Sequence, residues 1–149
     1  MQQGRLLGIA IREKSRGPMK ELKSAAVNTS QGLAGDFRGK PGPRQVTVLA
    51  REDWNSTCEA LGKDLPWTLR RANLLVEGIS LRETIGSIIR IGELNLQVTG
   101  ETDPCARMDE AEPGLMKALL PDWRGGVCCR VIKDGEIASG ESVTLESPS

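Results

Sequence analysis

The stretch from Ser87 to Val98 constrains the fold more than any other part of the chain. Ser87-Ile88-Ile89-Arg90-Ile91 runs into a Gly92-Glu93 turn and then into Leu94-Asn95-Leu96-Gln97-Val98, where apolar and polar residues alternate strictly. A period of two places every apolar side chain on one face of an extended strand, the mark of a half-buried β-strand. The same kind of segment recurs along the chain. Arg5 to Arg12 carries Leu6, Leu7, Ile9 and Ile11, Gln45 to Ala50 is dense in β-branched residues, and Ala72 to Val76 is a short third strand. Val127 to Ile132, Glu136 to Ala138 and Ser142 to Leu145 repeat the pattern, with Asp134-Gly135 read as a type I′ hairpin turn between two of them. Two helices interrupt the series. Arg51 to Leu61 spaces Trp54, Cys58 and Leu61 along one apolar face. Pro113 to Leu120 groups Leu115, Met116, Leu119 and Leu120 between two prolines that suit its ends. Many short strands with few helices predict a mainly β fold, a closed or nearly closed barrel, because closure removes exposed strand edges. No linker, repeat or low-complexity tract divides the chain, so residues 1–149 are expected to form one domain.

The absence of histidine narrows the chemistry. Cys–His and Ser–His nucleophilic pairs and histidine-bearing zinc sites are impossible in this chain. Proton transfer near neutral pH falls to a perturbed carboxylate, a lysine, a thiol or a bound cofactor. Lysine and arginine together number 20, as do aspartate and glutamate, and the only aromatic residues are Phe37 and three tryptophans. That balance argues against nucleic-acid binding, which draws on a basic excess and on stacking side chains. Cys58, Cys105, Cys128 and Cys129 show no C-x-x-C spacing. The N-terminus lacks the apolar region of a signal peptide, and no apolar run approaches the roughly 20 residues that span a bilayer. A reduced, cytoplasmic environment with no membrane partner is the expectation.

Cys105 is the candidate centre of chemistry. It sits in Thr99-Gly100-Glu101-Thr102-Asp103-Pro104-Cys105-Ala106-Arg107-Met108, a polar loop after the alternating strand. Pro104 stiffens the backbone leading into it, and Arg107 is placed to favour a thiolate. A thiolate so held suits a soft metal or the carriage of a sulfur atom. Cys128 and Cys129 are neighbours on one strand, so one is expected in the core and the other outward or facing a pocket, as small apolar fillers rather than a redox pair. Cys58 is expected to pack in the core. Basic residues recur in loops: Lys14 beside Ser15, Arg38 with Lys40 and Arg44, Arg70 with Arg71, and Arg107. Arginine's planar fork fits phosphate and carboxylate oxygens. The glycine-rich stretch from Gln31 to Arg44 lacks the spacing of a nucleotide-binding loop.

Taken in order, several short motifs resemble the MOSC family, the domains similar to the C-terminal part of molybdenum cofactor sulfurases. They are Gly32-Leu33-Ala34-Gly35-Asp36, Arg44-Gln45-Val46-Thr47-Val48-Leu49, Arg71-Ala72-Asn73-Leu74-Leu75-Val76, Pro104-Cys105-Ala106-Arg107, and Arg124-Gly125-Gly126-Val127 with Gly140-Glu141-Ser142-Val143. The resemblance implies a MOSC-type β-barrel in a stand-alone member. It also implies that Cys105 carries sulfur or ligates molybdenum, with no role for pyridoxal phosphate. Lys14-Ser15 and the Arg71-x-Asn73 pair resemble the residues with which related amidoxime-reducing enzymes hold the phosphate of molybdopterin, and Arg38 and Arg107 join them as candidate cofactor-binding residues. Two positions depart from the family pattern: Phe37 follows Gly35-Asp36 where relatives carry histidine or arginine, and Cys128 stands where an aromatic residue follows Arg-Gly-Gly-Val. On the length of the sequence, the N-terminal β domain of the catalytic reductases is expected to be missing.

Three functions follow as expectations. The first is a molybdenum-cofactor-binding or sulfur-carrier domain centred on Cys105, served by a sulfur donor protein. The second is a cofactor-dependent reductase of N-hydroxylated compounds, which needs an external electron donor because the chain has no flavin or iron–sulfur motif. The third is a non-catalytic module that binds an anionic small molecule or a partner on the same barrel.

Overall fold

The computed structural model describes residues 1–148. In chain order its strands and helices are β1 (Gln2–Ile11), β2 (Lys20–Leu22), β3 (Ser24–Asn28), β4 (Gly32–Leu33), β5 (Val46–Ala50), α1 (Arg51–Leu61), β6 (Leu74–Glu77), β7 (Ile88–Ile91), β8 (Leu94–Glu101), α2 (Arg107–Ala111), α3 (Leu115–Leu119), β9 (Val127–Lys133), β10 (Gly135–Ala138) and β11 (Ser142–Glu146). Single 3₁₀ turns cover Trp67–Arg70 and Pro121–Trp123.

Seven strands close into a barrel in the order β1-β11-β7-β8-β9-β5-β6 and back to β1. Closure depends on the length of β1. Its first residues pair with β11 (Gln2 opposite Leu145), its middle with β6 (Leu6 opposite Val76), and its last three with β2. The neighbouring strands are antiparallel except β5 and β6, which run parallel with α1 in the crossover between them. Parallel neighbours need such a crossover, whereas β7 and β8 need only the Gly92-Glu93 turn. Gly92 has φ +59°, which a two-residue hairpin turn with glycine first requires. The alternation in β8 is realised as alternate burial, with Leu94, Leu96 and Val98 inside the barrel.

One expected hairpin is absent. The chain passes from β9 to β10 at Asp134-Gly135, but β10 pairs with β3, in a small separate sheet completed by β4. Gly135 is a glycine for a different reason: a Cβ there would lie 2.4 Å from the Leu94 backbone nitrogen, so β10 crosses close over the β7–β8 turn. Asp134 accepts a hydrogen bond from the Thr29 N–H (2.9 Å), which ties the turn to the end of β3.

Two apolar clusters result. The first fills the barrel with residues such as Leu6, Ile9, Val48, Leu74, Ile89, Leu96, Cys129 and Val143. The second lies outside the wall made by Ala10, Leu49 and Leu75, where Trp54, Trp67, Met108, Leu115 and Leu119 cover it. Trp54 is buried and donates from Nε1 to the Leu65 carbonyl (2.9 Å). Helix α1 matches its expected span and ends at Gly62 (φ +67°), whose left-handed backbone lets the following N–H groups turn back onto Cys58 and Glu59. Cys58 is half-buried at the edge of this second cluster. Gln45 is buried and fully engaged. Its Nε2 donates to the Thr29 and Gly39 carbonyls and its Oε1 accepts from the Val131 N–H, so it fastens the glycine-rich stretch to β9. Among the described residues, no helix is long and apolar enough to cross a membrane.

Asp53 on α1 gives the fold a pH dependence. Burial, with the charge of Glu52 beside it, pushes its carboxyl up to about 6 from an ordinary 3.8. The folded chain thus binds this proton more tightly than the unfolded chain does. The associated stability is present below pH ~4 and is lost as pH rises through about 6. Because the group is partly solvated, the loss is expected to be about 1 kcal/mol. Urea denaturation should find Asp53→Asn more stable than the parent at pH 7.5 and equal to it at pH 4. Equal stability at both values would contradict the assignment.

Candidate functional site

The segment from Thr102 to Met108 lines one part of a cleft of about 820 Å³. Opposite it lie the end of β1, the loop around Asp36, and the turn at Arg70 and Arg71 that leads into β6. Seven arginines line this space (Arg12, Arg16, Arg38, Arg44, Arg70, Arg71 and Arg107), against three carboxylates, Asp36, Asp103 and Glu110. Here, among the described residues, none of the seven arginines forms an ion pair with a carboxylate. The carboxylate of Asp36 accepts the backbone N–H of Arg12 instead (3.1 Å).

The arginines oppose one another's charge. Arg12 has its pKa lowered first by burial and then by Arg38, Arg71 and Arg107, with Asp36 acting the other way. Arg71 is lowered by burial and by Arg38. Clustered, partly desolvated cations without partners form a site in which an anion gains Coulomb energy from several groups at once.

Each residue has a local reason for its place. Arg71 ends the Trp67–Arg70 turn with a left-handed backbone (φ +65°), and its guanidinium donates to the Gly17 carbonyl, holding the Arg12–Gly17 turn against the cleft. Asn73 is buried and serves the frame. Its Oδ1 accepts the Thr47 N–H (3.0 Å) and its Nδ2 donates to the Ala10 carbonyl (3.2 Å), so it joins β5 to β1 just beneath the arginines. Cys105 is exposed, while Pro104 before it is buried and anchors the segment. The Cys105 carbonyl accepts the Met108 N–H (2.9 Å), which starts the short helix α2.

Of the residues singled out from the sequence, Cys105, Arg38, Arg71, Asn73 and Arg107 line the cleft together. Lys14 and Ser15 do not line it. They stand exposed in the turn after β1, where Lys14 contributes its carbonyl to the Gly17 N–H, and Arg16 from the same turn faces the cleft instead. Cys129 belongs to the barrel core, as expected for one of the pair. Cys128 is neither outward nor part of the cleft lining. It is buried, with Sγ 3.3 Å from Thr102 Oγ1. The sequence did not single out Arg12, Arg16, Arg44 and Arg70 as site residues. For Arg70 the available signal was the consecutive arginine pair just ahead of β6.

A family model described as the MOSC domain matches residues 34–144. Among solved structures, the YuaD protein from Bacillus subtilis superimposes with a TM-score of 0.86 at 20% identity, covering 100% of both chains. YiiM from Escherichia coli gives 0.74 at 19% identity, over 97% of this chain and 71% of that one. YiiM from Geobacillus stearothermophilus gives 0.71 at 18%, over 95% and 72%. At these identities the likeness establishes a shared fold. No curated protein sequence matches the chain significantly.

Proposed function

The chain belongs to the MOSC domain family, and from that footing we propose that it binds the molybdenum cofactor in the arginine-lined cleft and uses Cys105 as metal ligand or persulfide carrier. The observation that carries this reading is the pairing of one exposed thiol with a group of arginines that have no carboxylate partners among the described residues. The residues fit such a group on their own terms. The cleft has the volume of a small-molecule site, the guanidiniums, free of carboxylate ion pairs among the described residues, suit a phosphate, and the thiol is a soft donor.

Arg12, Arg38, Arg71 and Arg107 would hold the phosphate end, and Cys105 would face the metal end. Lys14 and Ser15 adjoin the cleft and would reach a ligand only from outside its lining. Asn73 would act by keeping β1 and β5 in register beneath the arginines. When bound, the cofactor would supply the redox chemistry of its metal. As a carrier, the Cys105 thiolate would attack the terminal sulfur of a donor protein's persulfide. The donor leaves as a thiolate, the new S–S bond sits on Cys105, and no external electrons are needed. In this reading the whole chain is one domain working in a reducing compartment with a sulfur donor as its partner.

The test is metal analysis with cyanide-releasable sulfur on protein from a molybdenum-replete host, beside Cys105→Ala. The parent should carry molybdenum or labile sulfur, and the variant should fall to background with its fold intact. A parent that carries neither, from a host shown to make the cofactor, would overturn the proposal. The surviving reading would then be an anion-binding module, which the arginine cluster supports independently of the thiol.

A further inference from the structure

The seven arginines are not equivalent. Six are exposed or half-buried, but Arg70 is only 7% exposed. A guanidinium that far out of water normally sits on a carboxylate, because an uncompensated buried charge is costly. Arg70 has no such partner among the described residues. Nε donates to the Gly125 carbonyl (3.2 Å), Nη2 to the Thr102 carbonyl (3.1 Å), and Nη1 lies 3.6 Å from Met108 Sδ.

Two of these contacts frame the Cys105 segment. Thr102 is three residues before the cysteine and Met108 three residues after it. The third contact fixes Arg70 to the glycine pair that leads into β9. A Cβ on Gly125 would stand 2.6 Å from the Thr102 carbonyl and 3.2 Å from Arg70 Nη2, so the packing around the guanidinium leaves no room for a side chain there. These acceptors are neutral, and three engaged contacts leave guanidinium hydrogens over. Burial depresses the charged form of Arg70, and the anionic forms of Cys128 and Cys105 are the groups that favour it.

We infer that Arg70 is the positioning residue of the site: it holds the Cys105 segment at both ends and supplies a fixed positive charge to an anion formed on, or bound beside, the Cys105 sulfur. This deepens the proposed function and rests on it only for the identity of the anion. Arg12, Arg38, Arg71 and Arg107 then serve the far end of the ligand, and Arg70 serves the reacting end.

Charge selectivity of alkylation reads this directly. Rates of Cys105 modification by anionic iodoacetate and by neutral iodoacetamide are measured on the full chain by peptide mass spectrometry, with half-buried Cys58 as internal control. In Arg70→Gln, which keeps donors but no charge, the iodoacetate-to-iodoacetamide ratio at Cys105 should drop about 5-fold. In Arg70→Lys it should stay within about twofold of the parent, and the ratio at Cys58 should not move. An unchanged ratio in Arg70→Gln, or an equal drop in Arg70→Lys, would overturn the inference. Should the Arg70 variants fail to fold, Arg16→Gln with Arg38→Gln decides, since both positions are exposed, line the cleft and lie far from Cys105 in the chain. Retention of most of the parent's selectivity supports Arg70, and its complete loss removes Arg70 from the site. Molybdenum and labile sulfur are assayed on the same samples. Loading without charge selectivity sinks this inference alone, and selectivity without loading sinks the proposed function alone.

Discussion

A Gly126→Ala chain is expected not to fold to the native state. Gly126 has φ +89°, in the region that a Cβ makes costly. The more serious obstacle is steric. An added Cβ would lie 2.1 Å from the Val48 carbonyl oxygen and 3.2 Å from the Leu49 Cα, both backbone atoms of β5. Neither can swing aside as a side chain would. Relief would require β9 to separate from β5 where Val48 and Val127 pair, and the Thr102 N–H to give up the Gly126 carbonyl (2.9 Å). The loss should exceed about 3 kcal/mol, a large share of a domain's stability. Gly62→Ala is the control. Gly62 also has positive φ (+67°) but nothing within 4 Å of the new atom, so strain alone applies and about 1 kcal/mol is expected. Thermal unfolding followed by tryptophan fluorescence separates the two. Comparable melting points for both variants would show that the close approach at Gly126 carries no weight.

Reversing two rim charges, Arg38→Glu with Arg107→Glu, is expected to weaken pyrophosphate binding by about 100-fold or more. Both side chains are exposed and line the cleft, so the change alters the field with little risk to the packing. Each reversal removes one attraction and adds one repulsion, at separations where a partly screened pair is worth about 1 kcal/mol or more. The gap between parent and variant should narrow as salt rises. Titration calorimetry with pyrophosphate at 20 mM and 300 mM salt (about 20 and 6 Å of screening length) would measure both effects. Unchanged affinity would mean that the arginines are solvated surface charge and that the cleft is not an anion site.

The two predictions differ in how readable they were. The barrel was legible because it is written in local pattern. Strict alternation marks β8, the Gly92-Glu93 turn marks its hairpin, and the spacing of Trp54, Cys58 and Leu61 marks α1 at its observed bounds. Strands β2, β3 and β4 were not legible. They are two to five residues long, with lysine and glutamate in β2, serine and alanine in β3 and only Gly32-Leu33 in β4, too short to show a period, so they form because neighbouring strands offer them partners. The hairpin expected at Asp134-Gly135 misled for a related reason: turn residues say that the chain turns, and say nothing about which strand it meets next.

The site divides in the same way. Sequence alone identified Cys105, because a thiol in a polar loop after Pro104 is chemically conspicuous. It also marked Arg38, Arg71 and Arg107, which share the cleft with it. It selected Arg71 through the Arg71-x-Asn73 pair and passed over its neighbour Arg70. The left-handed turn at Arg71 sends one guanidinium to the Gly17 carbonyl and leaves the other buried against Thr102 and Gly125. The path of a single turn likewise puts Arg16, and not Lys14, on the cleft lining. What the sequence determined by itself was the seven barrel strands in outline, the missing histidine and a thiol in a polar loop, since periodicity and residue chemistry are properties of neighbours along the chain. What only the tertiary structure decided was that arginines from four distant segments meet beside that thiol with no ion pair to a carboxylate among the described residues. Charge repulsion and burial depend on separations in space, which barrel closure sets.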